Sequence, residues 1–188
     1  FGGNIEGKVA CSFGDISTTS FFPAKPLGCY GDGGAVFTDD DEIAALLESI
    51  RVHGKGEMKY DNVRIGLNSR LDTIQAAVLD VKLRAFDDYE LVDINKVADR
   101  YTEKLSVLGE KVKTPVIPEG FYSSWAQYTI QLSDRKTRDD LQSALKAEGI
   151  PSMVYYPKPM HRQEAFAGQA YDDAEFPNTL KLCDTVLS

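Results

Sequence analysis

The sequence predicts a mixed α/β or α+β fold, because short strand-like segments and longer helical segments alternate along the chain. The first 38 residues hold short apolar stretches separated by glycine and proline, which is typical of strands joined by tight loops. Later segments repeat apolar residues at helical spacing. Hydrophobic residues make up 43% of the 188 residues, enough to form a packed core.

The first half predicts three strands and one helix. The strands are expected in the segments KVACSF, STTSFF and GGAVFT, at residues 8–13, 17–22 and 33–38. A helix is expected over residues 40–53, with Asp39 as a candidate N-cap, acidic residues in its first turn and Gly54 as its stop signal. The following segment up to residue 70 has no period and predicts an irregular loop.

The second half begins with helical periodicity over residues 72–107, which predicts one long helix or two abutting helices. Such a length favours a connection between two structural units, so we expect a domain boundary near residue 90. Further expectations are a strand at 126–133, a helix at 137–149, a short strand at 152–156 and a helical pattern in the last eleven residues. That last pattern has no stop signal, which favours a piece of a longer polypeptide.

Composition and charge exclude several classes of function. The 21 basic and 29 acidic residues give a net charge of −8, so the chain as a whole repels nucleic acids and anionic lipid surfaces. No segment approaches the roughly 18 apolar residues of a membrane-spanning helix. The three cysteines lack the spacing of a zinc site or a disulfide framework and favour a reducing cytoplasm. The acidic run at residues 39–41 fits helix capping better than a metal site.

Lys25 is the first candidate for chemistry. It lies between Pro23 and Pro26, directly after a predicted strand and before a cluster of four glycines: Gly28, Gly31, Gly33 and Gly34. A partly desolvated lysine amine can attack a carbonyl carbon and form a Schiff base, and the hydroxyl of Ser20 could face an anion beside it. The alternative is an ordinary solvated lysine in a turn. Cys29 is expected to be a small buried filler.

Three motifs in order carry a resemblance to a known family. They are the segment 20–35 (SFFPAKPLGCYGDGGA), the segment 66–77 (GLNSRLDTIQAA), and Tyr156-Pro157 with Pro159 and His161. Together they resemble the cofactor-lysine region and downstream motifs of the DegT/DnrJ/StrS nucleotide-sugar aminotransferases. The similarity spans nearly the whole chain.

The resemblance implies a type I pyridoxal-phosphate-dependent transferase fold of the aspartate aminotransferase kind. Residues 1–90 would then form the second half of the large cofactor-binding domain, and residues 91–188 an incomplete small α+β domain. The family's phosphate loop, ring-stacking aromatic residue and pyridinium-pairing aspartate all lie upstream of the position that matches Phe1. We therefore expect residues 1–188 alone to be inactive.

The same resemblance implies roles for six residues. Lys25 would bind pyridoxal 5'-phosphate covalently and act as the catalytic base. Ser20 would bind the cofactor phosphate, and Asn68 would reach the phosphate of a second subunit in a homodimer. Arg70, Tyr156 and His161 would face the sugar nucleotide, with hydrogen bonding within its own loop as an equal alternative for His161. No metal is implied.

The implied reaction moves the amino group of L-glutamate to a keto-sugar nucleotide. Within the family, segments 25–35 (KPLGCYGDGGA) and 68–77 (NSRLDTIQAA) are most similar to the members that aminate C3 of a UDP-3-keto-hexuronate for surface polysaccharide synthesis, lipopolysaccharide included. Arg70 would pair with the uronate carboxylate. The alternatives are amination at C4, a dTDP-sugar substrate, and a cofactor-binding regulatory protein without turnover.

Overall fold

The computed structural model describes all residues from 1 to 188, and they form two compact units. The first unit comprises residues 1–96 and 117–126, and the second comprises residues 97–116 and 127–188. The assignment of residues 1–90 to a large domain and 91–188 to a small domain stays a prediction.

The first unit contains five short strands. A three-stranded antiparallel sheet has the order β2-β1-β5, and a separate antiparallel hairpin pairs β3 with β4. The strands are β1 (Asn4–Ile5), β2 (Lys8–Val9), β3 (Ser17–Ser20), β4 (Gly34–Phe37) and β5 (Phe121–Tyr122). The strand predicted at 8–13 is therefore only two residues long, because the N–H of Ala10 turns back to the carbonyl of Gly3 and Cys11 has a positive φ of 72°.

The first helix, α1, covers Asp41–Ile50, and its N-cap is Asp40 rather than Asp39. The Asp40 carboxylate accepts hydrogen bonds from the N–H groups of Glu42 and Ile43. The helix ends three residues before the predicted end at residue 53. Backbone groups of residues 50–53 instead bond to residues 67–69, so they are no longer available for helical hydrogen bonds.

The long helical segment predicted at 72–107 is confirmed. It consists of α2 (Thr73–Ala85), one π-helical turn (Phe86–Glu90) and α3 (Leu91–Ser106), and the division between the two units falls within α3. Asp72 caps α2 by accepting a hydrogen bond from the N–H of Gln75. The π-helical turn places Phe86 in the core of the first unit, where it packs with four other buried residues: Phe21, Leu27, Cys29 and Leu79.

The second unit is built on two helices and a two-stranded antiparallel sheet. They are β6 (Ile130–Gln131), α4 (Arg135–Ala147), α5 (Pro177–Thr185) and β7 (Val186–Leu187). The predicted helix at 137–149 starts earlier, because Asp134 caps it through the N–H of Thr137. The strand at 126–133 is shorter than predicted, and at 152–156 only Met153 pairs, through two backbone hydrogen bonds to Ser188.

The last residues differ from the sequence prediction. The final helical pattern ends at Thr185, and the chain continues as a strand that pairs with β6. The buried guanidinium of Arg138 donates hydrogen bonds to the carbonyls of Cys183 and Val186, which satisfies acceptors at the end of the helix. None of the helices combines the length and the apolar character that crossing a membrane requires.

Candidate active site

Lys25 lies in the loop of residues 21–33, which joins β3 to β4. The loop is closed at its base, because the N–H of Phe21 donates to the carbonyl of Gly33 at 2.8 Å. The backbone N–H and the Sγ of Cys29 both donate to the carbonyl of Phe21, at 2.8 and 3.0 Å. Cys29 has no exposed surface, as expected for a buried filler. The loop is therefore anchored on the core of the first unit.

Within this loop, Lys25 follows a tight turn. Its N–H donates to the carbonyl of Phe22 at 2.8 Å. A Cβ atom at Gly28 would lie 2.6 Å from that same carbonyl oxygen, so the loop can fold back this closely only with glycine at position 28. The side chain of Lys25 is exposed. The turn thus fixes the backbone of Lys25, and residues 1–188 leave its side chain in solvent instead of partly desolvated.

Ser20 ends β3 and lies beside the same turn. Its Oγ accepts a hydrogen bond from the N–H of Phe22 at 3.2 Å, which leaves the hydroxyl proton free to be donated. Ser20 and Lys25 are thus brought together by their hydrogen bonds to one residue, Phe22. A free amine and a free hydroxyl proton on one rigid turn fit a group that carries both a carbonyl carbon and an anion, as pyridoxal phosphate does.

Asn68 and Arg70 form a second cluster in the first unit. The segment that carries them is held against the end of α1, where the N–H of Ser69 donates to the carbonyl of Arg51 at 2.9 Å. The Nη2 of Arg70 donates to the Oδ1 of Asn68 at 2.8 Å, so the two side chains orient each other. Both are exposed.

Asn68 and Arg70 also line an open groove of about 1330 Å³, together with residues of β3, β4 and α1. Lys25 and Ser20 do not line this groove, although they belong to the same unit. The structure therefore brings together Lys25 with Ser20, and Asn68 with Arg70, as two separate pairs.

Tyr156 and His161 both lie in the second unit. Tyr156 is 68% exposed and free to meet a ligand. His161 has a side chain only 8% exposed, with its Nε2 2.9 Å from Oδ1 of Asp173 and its ring stacked on Phe176 at 4.6 Å between centroids. These contacts agree with the loop-fixing alternative for His161, and the substrate-facing role stays a prediction.

Asp173 was missed by the sequence reasoning. It binds His161 and also accepts two hydrogen bonds from the guanidinium of Arg162. The hydrogen bonds from Arg162 have the largest effect, followed by the one from His161, and they lower the pKa of Asp173 from 3.8 to about 2. No spacing pattern connects positions 161 and 173, so only the folded loop reveals the cluster.

We expect Asp173→Asn to loosen the loop of residues 157–176 at neutral pH, because the neutral amide no longer pairs with Arg162. In the wild type the folded pKa lies below the unfolded one, so the stabilisation is complete above pH 3.8 and is lost as pH falls through about 2. Limited proteolysis between pH 7 and pH 2 measures this. Glu175→Gln, an exposed change in the same loop, should leave cleavage unchanged. Equal protection of Asp173→Asn and wild type at pH 7 would contradict the expectation.

The chain matches the DegT/DnrJ/EryC1/StrS aminotransferase family over residues 1–188. It is 44% identical over 169 residues to the UDP-2-acetamido-2-deoxy-3-oxo-D-glucuronate aminotransferase of Pseudomonas aeruginosa, covering 90% of this chain and 45% of the relative. It is 43% identical over 188 residues to a pleiotropic regulatory protein of Geobacillus stearothermophilus, covering 100% and 49%. A dTDP-3-amino-3,4,6-trideoxy-alpha-D-glucose transaminase of Streptomyces venezuelae is 35% identical over 187 residues, covering 100% and 48%.

Among solved structures, the chain resembles a DegT DnrJ EryC1 StrS aminotransferase from Brucella abortus, with a TM-score of 0.91 and 49% identity. The match covers 100% of this chain and 48% of that one. The chain therefore belongs to the DegT/DnrJ/EryC1/StrS aminotransferase family, and the predicted family and fold class are confirmed. It spans about half the length of the curated relatives it matches.

Proposed function

We propose that the native protein containing this chain is a pyridoxal-phosphate-dependent aminotransferase that acts on a keto-sugar nucleotide. The observation that carries the proposal is the exposed side chain of Lys25 on a turn whose first residue, Phe22, is hydrogen-bonded to both Lys25 and Ser20. Family membership over all 188 residues supports it. An amine together with a hydroxyl that can donate a hydrogen bond to an anion suits a phosphorylated aldehyde.

Pyridoxal phosphate, when bound, supplies an electrophilic aldehyde carbon and an electron sink. Lys25 would hold the cofactor through its Nζ, and the turn that carries it is fixed by the hydrogen bond from its backbone N–H to Phe22. With its amine free, Lys25 would act as the base that takes a proton from the amino-bearing carbon of the donor. The hydroxyl of Ser20 would donate a hydrogen bond to a phosphate oxygen and so help to hold the cofactor.

We propose L-glutamate as the donor, which leaves as 2-oxoglutarate, while the ketone carbon of the sugar becomes an amine. For the acceptor we propose C3 of a UDP-3-keto-hexuronate, in a pathway that builds surface polysaccharide. The name of the Pseudomonas aeruginosa relative supports this choice. Asn68 and Arg70, oriented by their mutual hydrogen bond, would then serve an anionic ligand, with Asn68 reaching the phosphate bound in the partner subunit of a homodimer.

We expect Arg70→Ala to raise KM for the acidic sugar about 10- to 100-fold, because a bidentate charge-assisted pair with the carboxylate is lost. KM for a matched neutral sugar nucleotide should change little. Arg70→Lys keeps the charge without the planar guanidinium, so its KM for the acidic sugar should lie between those of the wild type and Arg70→Ala. Steady-state kinetics with both sugars measures this, and Arg100→Ala, an exposed change on α3, is the control. Unchanged KM for the acidic sugar in Arg70→Ala would remove the proposed contact.

The substrate class is tested with a panel of 3-amino and 4-amino sugar nucleotides, carried by UDP or dTDP, each incubated with 2-oxoglutarate and the native protein. Formation of glutamate from the 3-amino uronate alone supports the proposal. Glutamate from a 4-amino or a dTDP-linked sugar would move the substrate to the alternative classes.

A regulatory protein without turnover is the second candidate, because a relative of 43% identity is named a pleiotropic regulatory protein. The presence of Lys25 favours the enzyme, since a protein that only senses a ligand has no need of a base that moves protons. The same panel separates the two. Cofactor bound to Lys25 with no glutamate from any sugar would favour the regulatory candidate.

A further inference from the structure

The Lys25 loop is tied to a distant motif by a single hydrogen bond. The backbone N–H of Tyr30, on the later arm of the loop, donates to the Oε1 of Gln75 at 2.8 Å. Gln75 lies 45 residues further along the chain, in the first turn of α2. The bond therefore connects the segment that carries Lys25 with the segment that carries Asn68 and Arg70.

Gln75 is itself held firmly. Its N–H donates to the Asp72 carboxylate at 2.8 Å, which fixes the first turn of α2. Its side chain is half-buried. The amide that reaches Tyr30 therefore projects from a rigid element, and an acceptor on a rigid element can position what it binds.

Gly31 shows that the loop and the Gln75 amide are fitted to each other. A Cβ atom at position 31 would lie 3.2 Å from Nε2 and 3.5 Å from Cδ of Gln75. Gly31 is not among the glycines with positive φ, so its backbone conformation does not require glycine. A side chain at position 31 would crowd the Gln75 amide, which would have to shift by a few tenths of an ångström.

The other hydrogen bonds of the loop close it upon itself. Cys29 and Gly33 bond to Phe21, and Lys25 bonds to Phe22. These bonds set the shape of the loop, and its buried residues pack with Leu79 of α2. The bond from Tyr30 to Gln75 adds a directed contact to α2 on the later arm of the loop. If the Gln75 acceptor is removed, the arm of residues 26–33 has no hydrogen bond to α2.

We propose that Gln75 is a positioning residue for Lys25, acting through the backbone of Tyr30. This inference rests on the proposed function, since positioning matters because Lys25 must meet both the cofactor and the substrate carbon. A displacement of about 1 Å at a reacting group can cost up to 100-fold in rate. Gln75 touches neither Lys25 nor any reacting atom, so its loss should act on kcat more than on KM.

The test uses two replacements that differ in one property. Gln75→Met has nearly the same length and no oxygen acceptor, whereas Gln75→Glu keeps an oxygen in place for the N–H of Tyr30. In the native protein without cofactor, we expect amide hydrogen exchange of residues 26–33 to be about 10-fold faster in Gln75→Met and close to wild type in Gln75→Glu. Gln169→Met, at an exposed glutamine in the second unit, is the control.

With cofactor bound, kcat should fall roughly 10- to 100-fold in Gln75→Met with little change in KM, and Gln75→Glu should restore most of it. Gly31→Ala perturbs the same contact from the loop side and serves if Gln75→Met does not fold. Unchanged exchange of residues 26–33 in Gln75→Met, or equal exchange in the Met and Glu variants, overturns the inference. The proposed function fails by a different result, the absence of cofactor on Lys25 in the wild type, which leaves the exchange comparison intact.

Discussion

Replacing Lys25 by alanine in the native protein is expected to reduce transamination by at least about 10³-fold. In the proposed function, the variant loses the nucleophile that would hold the cofactor and the base that would move the proton, and base catalysis alone contributes about 10²- to 10⁴-fold. Lys25→Arg should be as inactive, because a guanidinium stays protonated and cannot take up the proton. Steady-state rates measure the loss, and a small primary amine added to Lys25→Ala should restore part of the proton transfer.

The control for this experiment is Lys146→Ala, at an exposed lysine in α4 of the second unit. It removes the same charge and should keep the wild-type rate. Thermal unfolding of both variants should match the wild type without cofactor, because the side chain of Lys25 is exposed and its turn is held by backbone hydrogen bonds. Wild-type turnover by Lys25→Ala would show that Lys25 is an ordinary loop residue.

Phe86→Ala is expected to destabilise the protein by about 3–5 kcal/mol, which is typical of deleting a buried phenylalanine. Phe86 is 1% exposed and packs in the same cluster as Phe21, Leu27 and Cys29. A Cβ atom at Gly2 would lie 2.5 Å from its ring, which shows how tightly the site is filled. Urea unfolding of the native protein without cofactor measures the change in free energy.

Tyr89→Ala is the matched control, because Tyr89 lies in the same π-helical turn and is 55% exposed. Its loss should change the free energy of unfolding by less than about 0.5 kcal/mol. The cluster also supports Phe21 and Cys29 at the base of the Lys25 loop, so Phe86→Ala should weaken cofactor binding while Tyr89→Ala should not. Equal stability of the two variants would contradict the burial of Phe86 in this cluster.

The parts of the fold that depend on local sequence could be predicted. The apolar repeat over residues 72–107 gave the helical segment 73–106, because side-chain periodicity decides helix formation over such a length. Glycine and proline around Lys25 indicated a tight loop after a strand, and Gly28 has the close approach that requires glycine.

The parts of the fold that depend on distant contacts could not be predicted from the sequence. The end of α1 is set by pairing between residues 50–53 and 67–69, and the end of α5 by pairing of β7 with β6. The contacts of His161 with Asp173 and of Tyr30 with Gln75 join positions that share no sequence period. Local propensity cannot foresee which backbone groups a distant segment will satisfy.

For the candidate site, the sequence motifs indicated the residues but not the contacts that hold them in place. Lys25, Ser20, Asn68 and Arg70 were identified through motifs, and their roles stay predictions. Gln75 belongs to the second motif, but only its hydrogen bond to Tyr30 in the folded chain suggests a role for it. The exposure of Lys25 also differed from expectation, because desolvation depends on what covers a loop and not on the loop's own sequence.

All of the proposed chemistry depends on covalent binding of pyridoxal phosphate by Lys25. The most direct measurement is the visible absorption spectrum of the native protein with the cofactor, followed by borohydride reduction, proteolysis and mass mapping of the peptides. We expect one reduced cofactor group on the peptide that contains Lys25, and none on that peptide in Lys25→Arg. An unmodified Lys25 peptide, or a cofactor group on another lysine, would contradict it.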